Sequence, residues 1–149
     1  MHDTKNRNAP NPKQAFGNKK PPLAQLPLVA RVAASAAHYD GDLKYGFRNW
    51  RDQPVEALTY IHAAERHLAL WTEGEEHARD TGVNNLGAVI ACCAILLDAQ
   101  INDALIDNRV PSPAACDYLH HAEQLIARIT ATAAARNTDR AVSPVRAAS

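Results

Sequence analysis

The chain is poor in the residues that mark β structure and tight turns. Aromatics make up 5% of its 149 residues, and glycine occurs only six times. No stretch alternates polar and apolar residues as a half-buried strand does. That leaves an all-α protein, and the abundance of alanine fits one. Cysteine is sparing too. Cys92, Cys93 and Cys116 are odd in number and lack CxxC spacing, which excludes a disulfide framework and points to a reduced, cytoplasmic setting. The longest apolar run, residues 88–97, is far too short to span a bilayer, and residues 1–20 are polar throughout. Neither a membrane span nor a signal peptide is therefore expected. Net charge is zero, which removes any global attraction to nucleic acid or membrane.

The charge that is present is unevenly placed. Nine of the sixteen basic residues lie in residues 1–24 and 128–149, together with only two of the sixteen acids. The centre therefore carries seven basic and fourteen acidic residues. Such a centre either attracts cations, and with them a metal-bound anion, or is an ordinary solvated surface. A length of 149 residues is enough for one domain with its own core.

The most apolar stretch, residues 81–107, organises the rest. Leu86, Ile90, Cys93, Leu97 and Ile101 recur with the period of one helix face, and Val83, Val89, Ala91, Ile95 and Leu96 fill most of the circumference. This predicts a central, buried helix. Asp98 is the one acid between Asp80 and Asp103, and Asn84 lies fourteen residues earlier on the same face. An unpaired buried charge costs several kcal/mol, so Asp98 either braces a neighbouring loop or belongs to a metal or polar-ligand site inside a helical bundle.

Residues 1–22, rich in Asn, Lys and Pro, predict an extended arm, with Phe16 as its one anchor to the body. A helix is predicted from Pro27 to about His38. Residues 38–51, HYDGDLKYGFRNWR, follow as a turn-rich segment broken by Gly41 and Gly46. Its Tyr39, Tyr45, Phe47 and Trp50 offer flat surfaces, and Lys44, Arg48 and Arg51 offer positive charge. That mixture suits a nucleotide, base on ring and phosphate on cation, or equally a loop that plugs the end of the bundle. A second helix is predicted from an Asp52 cap, with Pro54 in its first turn, to about Trp71. Glu65 interrupts its apolar face, with Arg66 and His67 beside it. Glu73, Glu75, Glu76 and Asp80 then crowd the connection to the central helix, where Asp80 or Thr81 is a candidate cap. Ser112 and Pro113 open a last helix that runs to about Ala133, and residues 134–149 read as a flexible tail. The helical domain thus spans residues 23–133.

Four strings resemble a known family. KYGFRNWR at residues 44–51, YIHAAERHLALWTEGEE at 60–76, DTGVNNLGAVIACCAILLDA at 80–99 and DNR at 107–109 are similar to the phage and bacterial dATP/dGTP diphosphohydrolases, a branch of the MazG-like all-α nucleoside triphosphate pyrophosphohydrolases. The resemblance covers roughly residues 17–111. It implies a four- to five-helix bundle that forms homo-oligomers, dimeric or tetrameric. It also implies Mg²⁺ or Mn²⁺ as cofactor, and cleavage of a purine (deoxy)nucleoside triphosphate to monophosphate and pyrophosphate. By position, Lys44, Tyr45, Asn49 and Trp50 fall on the family's aromatic-basic loop, Arg66 and His67 on its RH, Glu75 on its GE and Asp98 on its helix acid. The pattern departs at the second acidic pair, which would fall on Asn85 and Ala88.

The roles expected on this basis are as follows. Glu65, Glu75, Glu76, Asp80 and Asp98 are the candidate metal ligands, hard oxygen donors that suit Mg²⁺ or Mn²⁺. Lys44, Arg48 or Arg66 holds the phosphates, His67 orients a phosphate or carboxylate, and Asp98 is counted with the catalytic group. Tyr45 or Trp50 stacks on the base, Asn49 reads its edge, and Asn85 and Arg109 add substrate contacts. Guanine is favoured over adenine, because carboxylates and amides match its N–H donors. The competing expectation is a non-catalytic helical module that binds nucleotide or self-associates.

Overall fold

The computed structural model describes residues 11–142. Their order is helix α1 (Pro12–Gly17), a 3-10 turn at Leu23–Gln25, α2 (Leu28–Tyr45), a 3-10 turn at Asn49–Arg51, strand β1 (Val55–Glu56), α3 (Ala57–Thr72), α4 (Asn85–Ile101), β2 (Leu105–Ile106) and α5 (Pro113–Val142). The all-α class holds. β1 and β2 are two residues each, paired in parallel with Val55 opposite Leu105. The chain divides into two units, residues 1–108 and 109–149.

In the first unit, α4 packs against α2 and against α3. The contact with α2 is close because both helices present small residues. Ala30, Ala33, Ala34, Ala37 and Gly41 form the half-covered side of α2, and Gly87, Ala88 and Ala91 are buried on α4. A Cβ at Gly87 would lie 2.5 Å from the Ala33 carbonyl oxygen, so only glycine fits there. This corrects the sequence reading of α4. The large stripe Leu86–Ile90–Cys93–Leu97–Ile101 is not the core face, since Leu97 is 66% and Ile101 83% exposed. The small side of the helix faces inward, while the stripe is half-covered at Leu86 and Ile90 and open at Cys93, Leu97 and Ile101.

Helix boundaries also moved, each for a local reason. α2 continues through Gly41, which packs on its small face, and stops at Tyr45 because Gly46 takes φ 97° and returns its N–H to the Asp42 carbonyl at 2.9 Å. α3 is capped from afar rather than by Asp52. The Asn108 side-chain oxygen accepts from the Leu58 N–H at 2.9 Å, and its amide group donates to Glu56 at 3.3 Å. α4 begins at Asn84, whose side chain accepts from the Gly87 N–H. It ends six residues short of the predicted 107 in a left-handed Asp103, φ 54°, after which the Ala104 N–H reaches back to the Ala99 carbonyl at 2.8 Å. Val55 then donates to the Ala104 carbonyl at 2.9 Å, which ties the start of α3 to the end of α4. The main apolar cluster lies here: Trp50, Val55, Ala99 and Ala104, with Tyr60, Ile95 and Leu105 packed against it.

Part of the predicted arm is helical, since α1 opens with the Asn11 side chain accepting from the Lys13 N–H at 2.9 Å. Phe16 is exposed, and residues 1–10 lie outside the described residues. The second unit is built on α5. Ser112 caps it, its hydroxyl accepting from the Ala115 N–H at 3.2 Å. The helix runs nine residues past the predicted end at 133, so much of the expected tail is helical. Residues 143–149 lie outside the described residues. No helix among the described residues is long and apolar enough to cross a membrane.

Candidate functional site

After Gly46 the chain cannot continue α2, and Arg48 also takes a left-handed conformation, φ 52° and ψ 36°. These two reversals fold residues 46–51 back across the ends of α2 and α4. Trp50 is thereby buried, 8% exposed, with its ring 5.5 Å from that of His38. Its indole Nε1–H donates to Asp98 Oδ2 at 2.7 Å. Arg51 approaches the same carboxylate as a fork, Nε donating to Oδ2 at 2.7 Å and Nη2 to Oδ1 at 2.6 Å. Both Asp98 oxygens are thus taken, which is the two-point geometry that guanidinium and carboxylate favour. The Arg51 fork first, and the Trp50 indole second, hold the Asp98 carboxyl well below the usual carboxylate range. The same bond raises Arg51.

This clamp forms one wall of a cavity of about 470 Å³, within the range of small-ligand sites. α2 contributes Ser35, His38, Tyr39 and Asp42, the loop contributes Phe47 and Arg48, and α4 contributes Ala94 and Asp98. The rings of Tyr39 and Phe47 are exposed, and the Arg48 guanidinium lies 5.1 Å from the Phe47 ring centre. The cavity therefore offers flat rings, a cation outside the Arg51–Asp98 pair, and one further carboxylate, Asp42.

The sequence-predicted residues divide between this cavity, a second cluster and open surface. Arg48, Trp50 and Asp98 meet at the cavity, but Asp98 is committed to Trp50 and to Arg51. Trp50 is a wall and not a stacking surface. Lys44 and Tyr45 do not line the cavity and lie on exposed surface at the end of α2. Lys44 is paired with Asp40 at 2.6 Å, and that bond raises its pKa. Asn49 is half-buried in the 3-10 turn.

The second cluster is the connection 73–84. Asn85 is 0% exposed, and its amide group donates to the Glu75 carbonyl at 2.6 Å. Its side-chain oxygen meets His67 Nδ1 at 2.8 Å, and its backbone N–H donates to the Glu76 carbonyl at 2.8 Å. Asn85 is a latch that holds the acidic loop against α3 and α4, and it does not face the cavity. Glu75 is ion-paired with Arg79 at 2.6 Å. Together with His67 and Asp80 the two line a separate shallow groove. Glu65, Arg66 and Glu76 are exposed. Arg109 is exposed in the second unit.

The donors expected for a divalent ion do not gather. Among the described residues no group of three or more His, Cys, Asp or Glu stands close enough to hold a metal. Asp98 is saturated by Arg51 and Trp50, and Glu75 is paired with Arg79. The described residues of a single chain therefore do not fit the Mg²⁺ or Mn²⁺ that the family resemblance implies.

Tyr39, Phe47 and Arg51 stood out in the sequence as part of the aromatic-basic segment but were given no role in the site, and His38 and Asp42 were passed over. The signal was present in the same segment, 38–51. What was not legible was its division into a helical half ending at Tyr45 and a reversed half beginning at Gly46.

No curated protein and no solved structure matches the chain. One family model does, that described as dATP/dGTP diphosphohydrolase, N-terminal, over residues 10–109. The match takes in α2, the reversed loop, α3, α4 and Asn108, which are all the elements that build the cavity and its braces. The chain belongs to the dATP/dGTP diphosphohydrolase family.

Proposed function

We propose that this chain binds a purine (deoxy)nucleoside triphosphate, with (d)GTP preferred, in the cavity between α2, the reversed loop and α4. It acts there as a nucleotide pyrophosphohydrolase, releasing monophosphate and pyrophosphate. One observation carries the reading: the Arg48 cation and the open Tyr39 and Phe47 rings share one cavity, the pairing a nucleotide needs. Arg48 holds phosphate oxygens by charge-assisted hydrogen bonds, and the rings cover the base. Trp50, Arg51 and Asp98 keep that wall rigid, which is the positioning on which phosphoryl chemistry depends.

A divalent ion would neutralise the phosphate oxygens and activate water. The described residues of one chain do not assemble a site for it. A homo-oligomer, the expected assembly, would add a neighbouring chain's carboxylates to those of the first. The exposed Leu97 and Ile101 on α4 support self-association.

The scattered carboxylates favour a second reading, a module that binds purine nucleotide without cleaving it. Pyrophosphate release separates the two. The enzyme reading expects pyrophosphate and monophosphate from dGTP or dATP with Mg²⁺ or Mn²⁺, and none in EDTA. Saturable purine binding with no pyrophosphate under any metal would favour the module.

A further inference from the structure

Asp42 differs from every other charged group lining the cavity. Asp98 is occupied by Arg51 and Trp50, Arg51 is occupied by Asp98, and Arg48 lies against Phe47. Asp42 is half-buried, lines the same cavity, and makes no side-chain hydrogen bond or ion pair among the described residues. It sits on the face of α2 that also carries Ser35, His38 and Tyr39, at spacings of three, one and three that keep all four side chains on one side of a helix. A half-covered carboxylate without a partner in a cavity awaits donors from a ligand.

Of the groups on a purine nucleotide, the base and the sugar hydroxyls supply such donors and the phosphates do not, and of the two purine bases only guanine offers two side by side. Guanine presents N1–H and the 2-amino group side by side, so one carboxylate accepts from both, as Asp98 does here from the Arg51 fork. Adenine presents its amino group beside the bare N1 acceptor, whose lone pair repels a carboxylate. Arg48, across the cavity, repels neither base and attracts the phosphates. We propose that Asp42 is the specificity-determining residue of this site and selects guanine by accepting from N1–H and the 2-amino group together. The assignment rests on the nucleotide reading of the cavity.

Equilibrium binding of dGTP, dITP and dATP to the wild-type chain and to Asp42→Asn tests it. dITP keeps N1–H but lacks the 2-amino group. The wild type is expected to bind in the order dGTP, dITP, dATP. Each lost charge-assisted hydrogen bond lowers affinity about tenfold or more, by the strength of such bonds. In Asp42→Asn the order should collapse, dGTP weakening about tenfold or more while dATP is unchanged or tighter. Asp42→Ser, with circular dichroism on both variants, guards against misfolding and should show the same collapse. An unchanged order in the folded variants overturns the assignment, and so does an equal loss for all three nucleotides, which would place Asp42 on the sugar or on a metal. A wild type that binds none of the three overturns the nucleotide reading itself, and is recognised by failing before any variant is compared.

Discussion

At the scale of single residues, Asp98 shows how the lone acid of an apolar helix is satisfied. Both of its oxygens are spent on Trp50 and Arg51, so its work is to fix the cavity wall. Its depressed pKa makes a signed claim about pH. A carboxyl held below its unfolded value, about 3.9, contributes stability that is complete above that pH and is lost as pH falls below it, because the unfolded chain takes up the proton first. The urea midpoint should therefore fall between pH 5 and pH 3 more steeply for the wild type than for Asp98→Asn. Equal slopes would show that the clamp adds nothing to folding. Arg48 carries the opposite bargain. A non-glycine residue at φ 52° bears about 1–2 kcal/mol of strain, so Arg48→Gly should stabilise the fold by about 1 kcal/mol while weakening nucleotide binding. Denaturant melts beside a dGTP titration read both.

At the scale of elements, the contact of α2 with α4 depends on the absence of one side chain. Gly87→Ala places a methyl against the Ala33 backbone, and overpacking of this kind costs about 1–3 kcal/mol, which chemical denaturation will show. The acidic connection depends on Asn85. Replacing it with alanine leaves the Glu75 carbonyl and His67 without their partner. A buried group left unpaired costs about 1–3 kcal/mol, and residues 73–84 should become the first site of limited proteolysis. Much of this architecture was legible in advance. Proline 27, Ser112 and Pro113 marked real helix starts, and the 3.6-residue period identified α3 and α4. The orientation of α4 was not legible, because a helix apolar on all sides does not say which side meets its neighbours. The small residues that decide it, Gly87, Ala88 and Ala91, carry little hydrophobic signal. Nor could period or propensity show that Asn108 would cap α3 from fifty residues away, since local sequence carries no record of a long-range hydrogen bond. Within the site, the composition of residues 38–51 announced the aromatic-basic chemistry. The left-handed Arg48 that sorts those side chains into wall and lining left no trace in it.

At the scale of the whole molecule, the outward stripe on α4 and the exposed Leu28, Val29 and Val32 on α2 are large apolar groups that folding of the first unit does not cover. Surfaces of this kind commonly mark association sites. Light scattering should return the mass of a dimer or tetramer at micromolar concentration, and Ile101→Glu should shift it towards the monomer. A monomer mass for the wild type would count against self-association. The central claim, that a purine nucleotide occupies the cavity beside Arg48, is open to one direct observation. The chain has two tryptophans, and only the Trp50 indole N–H is bonded into the cavity wall. Titration with dGTP, followed in the ¹H–¹⁵N NMR spectrum, should move the Trp50 indole signal and the amides of residues 38–51 in a saturable way, leaving the Trp71 indole where it was. Saturable shifts confined to Trp71, His67 and the residues of the acidic connection, or no shifts at all, would contradict it.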